Sequence, residues 1–90
     1  MKKFDLGGIY ITRGIADIFG QDFSLELYEV LIRHSSGDWG DVHEEDKISN
    51  EIALKKGYRI ISSYKLRKTQ IWVITEADRS STTILLPEEY

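Results

Sequence analysis

No cysteine occurs among the 90 residues, which excludes a disulfide framework, a thiolate zinc site, iron–sulfur clusters and thiol catalysis. Two histidines are the only soft metal ligands left. The single proline, Pro87, lies three residues from the end, and no low-complexity stretch, repeat or linker divides the chain. One domain over residues 1–90 is expected. Long hydrophobic runs are also missing. Nothing approaches the roughly 20 apolar residues that cross a bilayer. The run Gly8-Ile9-Tyr10-Ile11 behind the basic Met1-Lys2-Lys3 is too short for a signal-peptide core. A soluble, cytoplasmic protein without membrane contact is therefore expected. Positive charge is not in excess either: 12 bases against 15 acids give a net charge of −3, so generic attraction to nucleic acid is not expected.

What is present is a foldable composition, 41% hydrophobic with two Trp, five Tyr and three Phe. A domain of this size buries only roughly 60% of the surface of its unfolded chain, so each aromatic counts. Residues 8–12 read as a short strand, and Ile15 to Phe19 as a helical turn ended by Gly20. With Asp22 as a plausible N-cap, a helix is expected from about Phe23 to Arg33, with Leu25, Leu27, Tyr28, Leu31 and Ile32 on its apolar face. A second helix begins near His43 or Glu44, carries Ile48, Ile52 and Ala53 as its stripe, and ends at Gly57. Its acidic start and the lysines at its end suit the helix dipole. Tyr58 to Leu66, Gln70 to Thr75 and Ser81 to Leu86 read as strands joined by short polar turns. The expected fold is α+β: an antiparallel sheet of three to four strands with two main helices packed on one face. The N-terminal strand is a fourth member at an edge, or part of a separate hairpin.

Charge is segregated along the chain. Residues 38–51 hold six acids (Asp38, Asp41, Glu44, Glu45, Asp46, Glu51) and one lysine; residues 55–68 hold six bases (Lys55, Lys56, Arg59, Lys65, Arg67, Lys68) and no acid. Such runs are commonly solvated faces. Functionally, the acidic segment fits an interface that imitates nucleic-acid phosphates and seeks a basic groove. The basic segment offers the alternative, a small regulatory nucleic-acid-binding module.

Both histidines fall in Arg33-His34-Ser35-Ser36-Gly37-Asp38-Trp39-Gly40-Asp41-Val42-His43, nine positions apart. A glycine-containing loop between two helix ends can fold their rings together. Imidazole and carboxylate are zinc ligands where no thiolate is present. The candidate set is His34, Asp38, His43 and Asp78, with Asp41 competing as third or fourth ligand because it shares one side of an extended segment with His43. The role expected of such a zinc ion is structural, since its binding energy becomes folding energy. A catalytic reading pairs His34 with Asp38, or Glu76 with Asp78, beside the hydroxyls of Ser80 to Thr83. No framed nucleophile, oxyanion hole or phosphate loop accompanies them, and no enzymatic activity is expected. Trp72, between Ile71 and Val73, reads as core. Trp39, in a polar loop, either plugs the loop or stands out as an interface anchor. The candidate partner-binding residues are Trp39, Asp41, Glu44, Glu45 and Asp46.

Three blocks carry a resemblance: Arg33-His34…Gly37-Asp38-Trp39-Gly40…Glu45-Asp46, the run Ile71 to Ser80, and Thr82-Thr83-Ile84-Leu85-Leu86-Pro87-Glu88-Glu89-Tyr90. Together they resemble a small bacterial family carried on plasmids, prophages and other mobile elements, over roughly residues 4–90. The resemblance implies Cys, Asp or His at the position of His43, all metal-ligand types. Its phage-borne members resemble anti-CRISPR inhibitors of type II effector nucleases, one of them zinc-containing. What this implies here is an inhibitor that docks on a host defence nuclease and blocks loading of target DNA into its positively charged channel. A restriction enzyme would be an equivalent target.

Overall fold

The computed structural model describes residues 1–22 and 24–90. The elements run β1 (Gly8–Ile11), α1 (Arg13–Phe19), α2 (Leu25–Ser35), α3 (Glu44–Lys56), β2 (Ile60–Leu66), β3 (Thr69–Thr75) and β4 (Ser81–Leu85), closed by a 3-10 turn at Pro87–Glu89. The α+β class is as expected. The sheet is not purely antiparallel. Its order is β1-β4-β3-β2, and β1 pairs parallel with β4, Gly8 facing Ser81 and Ile11 facing Ile84. Residues 60–85 do form the antiparallel meander. Three helices then bring the N-terminal strand home beside β4, pointing the same way.

Local chemistry sets the elements. Thr12 caps α1, and Glu89 reaches back from the C-terminus to accept from Thr12 Oγ1 at 2.5 Å and Gly14 N at 3.0 Å. A carboxylate at that helix start complements its orphan amides. Ser24, rather than Asp22, caps α2: its Oγ accepts from Leu27 N at 3.3 Å. The expected start of this helix at Phe23 lies outside the described residues. Gly57 ends α3 at φ 74°. The β2–β3 turn is Arg67-Lys68, with both residues in the left-handed region (φ 50° and 63°), as two-residue hairpin turns of type I′ require.

The helices bury only part of the faces that the apolar spacing suggested: Leu27, Leu31 and Ala53 are buried, the rest are not. Helix α2 turns Leu27, Val30, Leu31 and His34 inward and leaves Leu25, Tyr28 and Ile32 exposed. Helix α3 buries Asn50 and Ala53 and exposes Ile48 and Ile52. Ile15, Phe19, Leu27, Val30 and Leu31 pack on Tyr64, Ile71, Val73 and Ile84 to form the main core. Among the described residues α1 and α2 cover most of that sheet face, and α3 reaches its β2 end by packing Ala53 on Ile60. Helix α3 otherwise lies along the free edge of β2, where the Asn50 side chain donates to Ile61 O (2.8 Å) and accepts from Ile61 N (3.2 Å). Asn50 thus replaces a neighbouring strand, which is why a polar residue occupies the inward position of this helix.

A candidate interaction site at the start of helix α3

The segment between α2 and α3 is a built loop. Arg33 pairs with Asp38 (Nε to Oδ2, 2.7 Å), and Asp38 Oδ1 accepts from Gly40 N at 3.1 Å. The hydrogen bond from Arg33 holds the Asp38 carboxyl below the usual carboxylate range. The same guanidinium lies 4.7 Å from the Tyr64 ring centre, and Tyr64 Oη donates to Asp38 O at 2.6 Å. The loop then joins the edge of β2. Ser63 N donates to Trp39 O (3.1 Å) and Asp41 N donates to Ser63 O (2.7 Å), leaving Gly40 in a parallel bridge to Ser63.

Trp39 is 5% exposed and centres a second apolar cluster with Ala53 and Ile60, flanked by Phe4, Val42 and Leu54. Its Nε1 donates to Glu51 at 2.8 Å. It is the plug of the loop and offers a partner no surface, so the anchor reading of Trp39 is corrected here. The other four candidate contact residues, Asp41, Glu44, Glu45 and Asp46, are all exposed. The last three form the first turn of α3, where the helix dipole favours negative charge. Among charged partners, Glu44 meets Lys47 at 3.4 Å.

Beside this acidic turn lies a cleft of about 400 Å³. Asp41, His43, Asp46 and Arg59 line it, and Trp72 and Tyr90 supply aromatic surface. Tyr90, at the very C-terminus, is held edge-on to Trp72 with ring centres 5.5 Å apart, and its hydroxyl accepts from Arg59 at 3.2 Å. The sequence reading took Trp72 for core and gave Tyr90 no part in a site. An indole flanked by apolar neighbours reads as core, and no local signal says which face of the sheet the helices leave open.

The four candidate zinc ligands are placed apart. His34 is fully buried beneath the sheet. Its Nδ1 is hydrogen-bonded to Ser62 Oγ and its Nε2 to Thr75 Oγ1 at 2.8 Å. Thr75 continues to Thr82 (2.7 Å), whose hydroxyl donates to Leu6 O at 2.7 Å. Burial, with a lesser contribution from the charge of Arg79, pushes the His34 pKa down to about 3, so the ring is neutral. Asp38 is bound to Arg33. His43 is the exposed N-cap of α3, and Asp78 accepts from Ser80 N at 3.0 Å in the turn before β4. Among the described residues no three His, Asp or Glu side chains are grouped to hold an ion. A zinc ion at His34 would require the ring to release one of its two hydroxyls.

The basic run does not form one patch. Arg59 pairs with Glu76 at 3.1 Å and Arg67 with Glu26 at 2.5 Å. Lys55 and Lys56 sit at the end of α3, while Lys65 and Lys68 lie at the far end of β2. Seven strand residues, roughly 20 Å, separate the two ends. No helix among the described residues is long and apolar enough to cross a membrane. No protein-family model matches the chain, and neither a curated protein nor a solved structure matches it.

Proposed function

We propose that this chain is a protein-binding inhibitor of the mobile-element kind. Its acidic lobe, Asp41 with Glu44, Glu45 and Asp46, docks on the positively charged nucleic-acid channel of a host defence nuclease, foremost a type II CRISPR effector. Docking there blocks the loading of target DNA. The supporting observation is how the fold sorts charge. It gathers Asp41, Glu44, Glu45 and Asp46 on one exposed corner next to the Gly40 bridge, and it divides the bases between the two ends of β2 and two exposed ion pairs. An exposed acidic corner favours fast, oriented association with a basic surface. The cleft adds contact surface beside the acids, since Asp41 and Asp46 line it together with the aromatic side chains of Trp72 and Tyr90. Catalysis plays no part in this reading.

The test is target cleavage by a guide-loaded type II effector in the presence of the purified chain. Wild type is expected to inhibit. Glu44→Gln, Glu45→Gln and Asp46→Asn together are expected to weaken inhibition at least tenfold with unchanged circular dichroism, because all three side chains are exposed. Lys55→Gln with Lys56→Gln is expected to inhibit like wild type. Absence of inhibition, or inhibition indifferent to the acids, overturns the proposal.

Zinc enters in one form only, as a state in which loop 37–43 opens and the His34 ring exchanges a hydroxyl for the ion. Elemental analysis of tag-free protein tests it. About one zinc per chain, lost in a His43→Ala variant that replaces only an exposed side chain, supports that state, and a metal-free wild type overturns it.

A further inference from the structure

The two edges of the sheet are treated differently. The β2 edge is closed by the Asn50 side chain and by the 39–41 loop. Among the described residues the β1 edge is open. Gly8 donates to Ser80, just before β4, and Thr12 to Ile84 within it, at 3.0 and 3.1 Å, so along β1 the amides of Gly8, Tyr10 and Thr12 turn inward. In a parallel ladder the alternate residues, Ile9 and Ile11, then turn their N–H and C=O groups outward. The strand itself, Gly-Ile-Tyr-Ile, carries no proline or charge that would discourage pairing, and natural edges usually do.

The helix layer is unfinished on the same side. Leu25, Tyr28 and Ile32 form a stripe at i, i+3 and i+7 along α2, 71%, 54% and 49% exposed. Tyr28 and Ile32 meet Ile9 and Leu6 in a shallow apolar groove beside β1. With Tyr10 on the other face of the strand, the exposed apolar side chains there present on the order of 500 Å², the upper end of what a monomer displays.

We propose that this side is the interface with a second copy of the chain. Two β1 strands pair antiparallel about a two-fold axis at Tyr10. Ile9 of each copy faces Ile11 of the other, giving four backbone hydrogen bonds and a Tyr10–Tyr10 cross-strand pair. The sheet becomes eight-stranded, and the two α2 stripes meet in the helix layer. A second copy is the occupant because it closes both layers at once; a single extended peptide would bond the open amides and leave the α2 stripe in water. With strand backbone and rim added, the buried area approaches the roughly 800 Å² per partner of a stable interface. Self-pairing also suits a patch without net charge, since an isologous contact sets each surface against itself.

The experiment is sedimentation equilibrium of the full chain from micromolar to high micromolar concentration, beside two variants. Ile9→Pro removes an outward-facing amide hydrogen that the monomer does not use, at an edge position where proline is tolerated, and Tyr28→Lys charges the stripe at an exposed position. Wild type is expected to dimerise, and each variant to raise the dissociation constant at least tenfold while keeping the wild-type circular dichroism. A wild type that stays monomeric throughout overturns the proposal. So does a dimer that both folded variants leave intact, since it would use another surface. A monomer that instead binds an extended peptide at β1, lost in Ile9→Pro, overturns the second copy as occupant.

Discussion

Gly40→Ala is expected to lower the melting temperature by more than 10 °C and to expose Trp39, shifting its fluorescence to the red. A Cβ built on Gly40 falls 1.9 Å from Ser63 O and 2.8 Å from Tyr64 Cδ1, and the backbone there has φ +71°. The oxygen is fixed by its ladder position and by the 2.7 Å bond from Asp41 N, so the loop must yield. Leaving β2 breaks both hydrogen bonds to Ser63 and pulls Trp39 out of the second cluster. Left-handed strain alone contributes about 1–2 kcal/mol, and the lost packing adds a comparable amount. For a domain of this length each kcal/mol is worth about 4–8 °C. Gly57→Ala separates the two effects. Its φ is +74° but among the described residues nothing lies within 4 Å of the added Cβ, so only the strain remains, about 1–2 kcal/mol. Differential scanning calorimetry of the two variants checks the ordering. Equal losses would mean that the Gly40 bridge is not the constraint on the loop.

His34→Ala is expected to cost about 3–5 kcal/mol, enough to leave this thin-cored domain largely unfolded at 37 °C. The substitution removes a fully buried ring that Phe4 meets edge-on at 5.2 Å, and it orphans the Ser62 hydroxyl. The same burial gives a pH signature. A folded pKa of about 3 lies below the ordinary histidine value of 6.5, so the unfolded chain takes up the proton first. Stability is therefore complete above about pH 6.5 and falls as pH drops through the window down to about 3, by about 1.4 kcal/mol per pH unit. The lowered carboxyls of Asp38, Asp78 and Glu89 act in the same direction but only near and below pH 4. Urea unfolding between pH 7 and 4.5 isolates the histidine, and His34→Gln, which cannot charge, is expected to flatten the slope. An equal slope in wild type and His34→Gln would show that the ring is not the group titrating.

How far the sequence carried depends on whether a decision was local. The meander was legible because alternation and short polar turns are local, and Gly57 ended α3 for the same reason. The parallel β1–β4 pair was not, since nothing near residue 8 speaks of residue 81. The helix faces were misread because α2 and α3 keep apolar residues around more than half their circumference. Burial of Asn50 instead of Ile52 follows from the needs of an exposed β2 edge, which is a property of the sheet. His34 and His43 shared a sequence segment but not a site: the capped end of α2 aims one ring under the sheet, and the N-cap position turns the other to solvent. The acidic corner was visible as a run of letters. The cleft beside it was not, because its aromatic wall comes from β3 and the last residue of the chain.

The most direct measurement is binding of the chain to a guide-loaded type II effector before and after that effector has taken up target DNA. Occupation of the positively charged channel by the acidic lobe predicts tight binding to the guide-loaded form, weakening with salt, and loss of binding once target DNA fills the channel. Equal binding to both forms, or none to either, would contradict it.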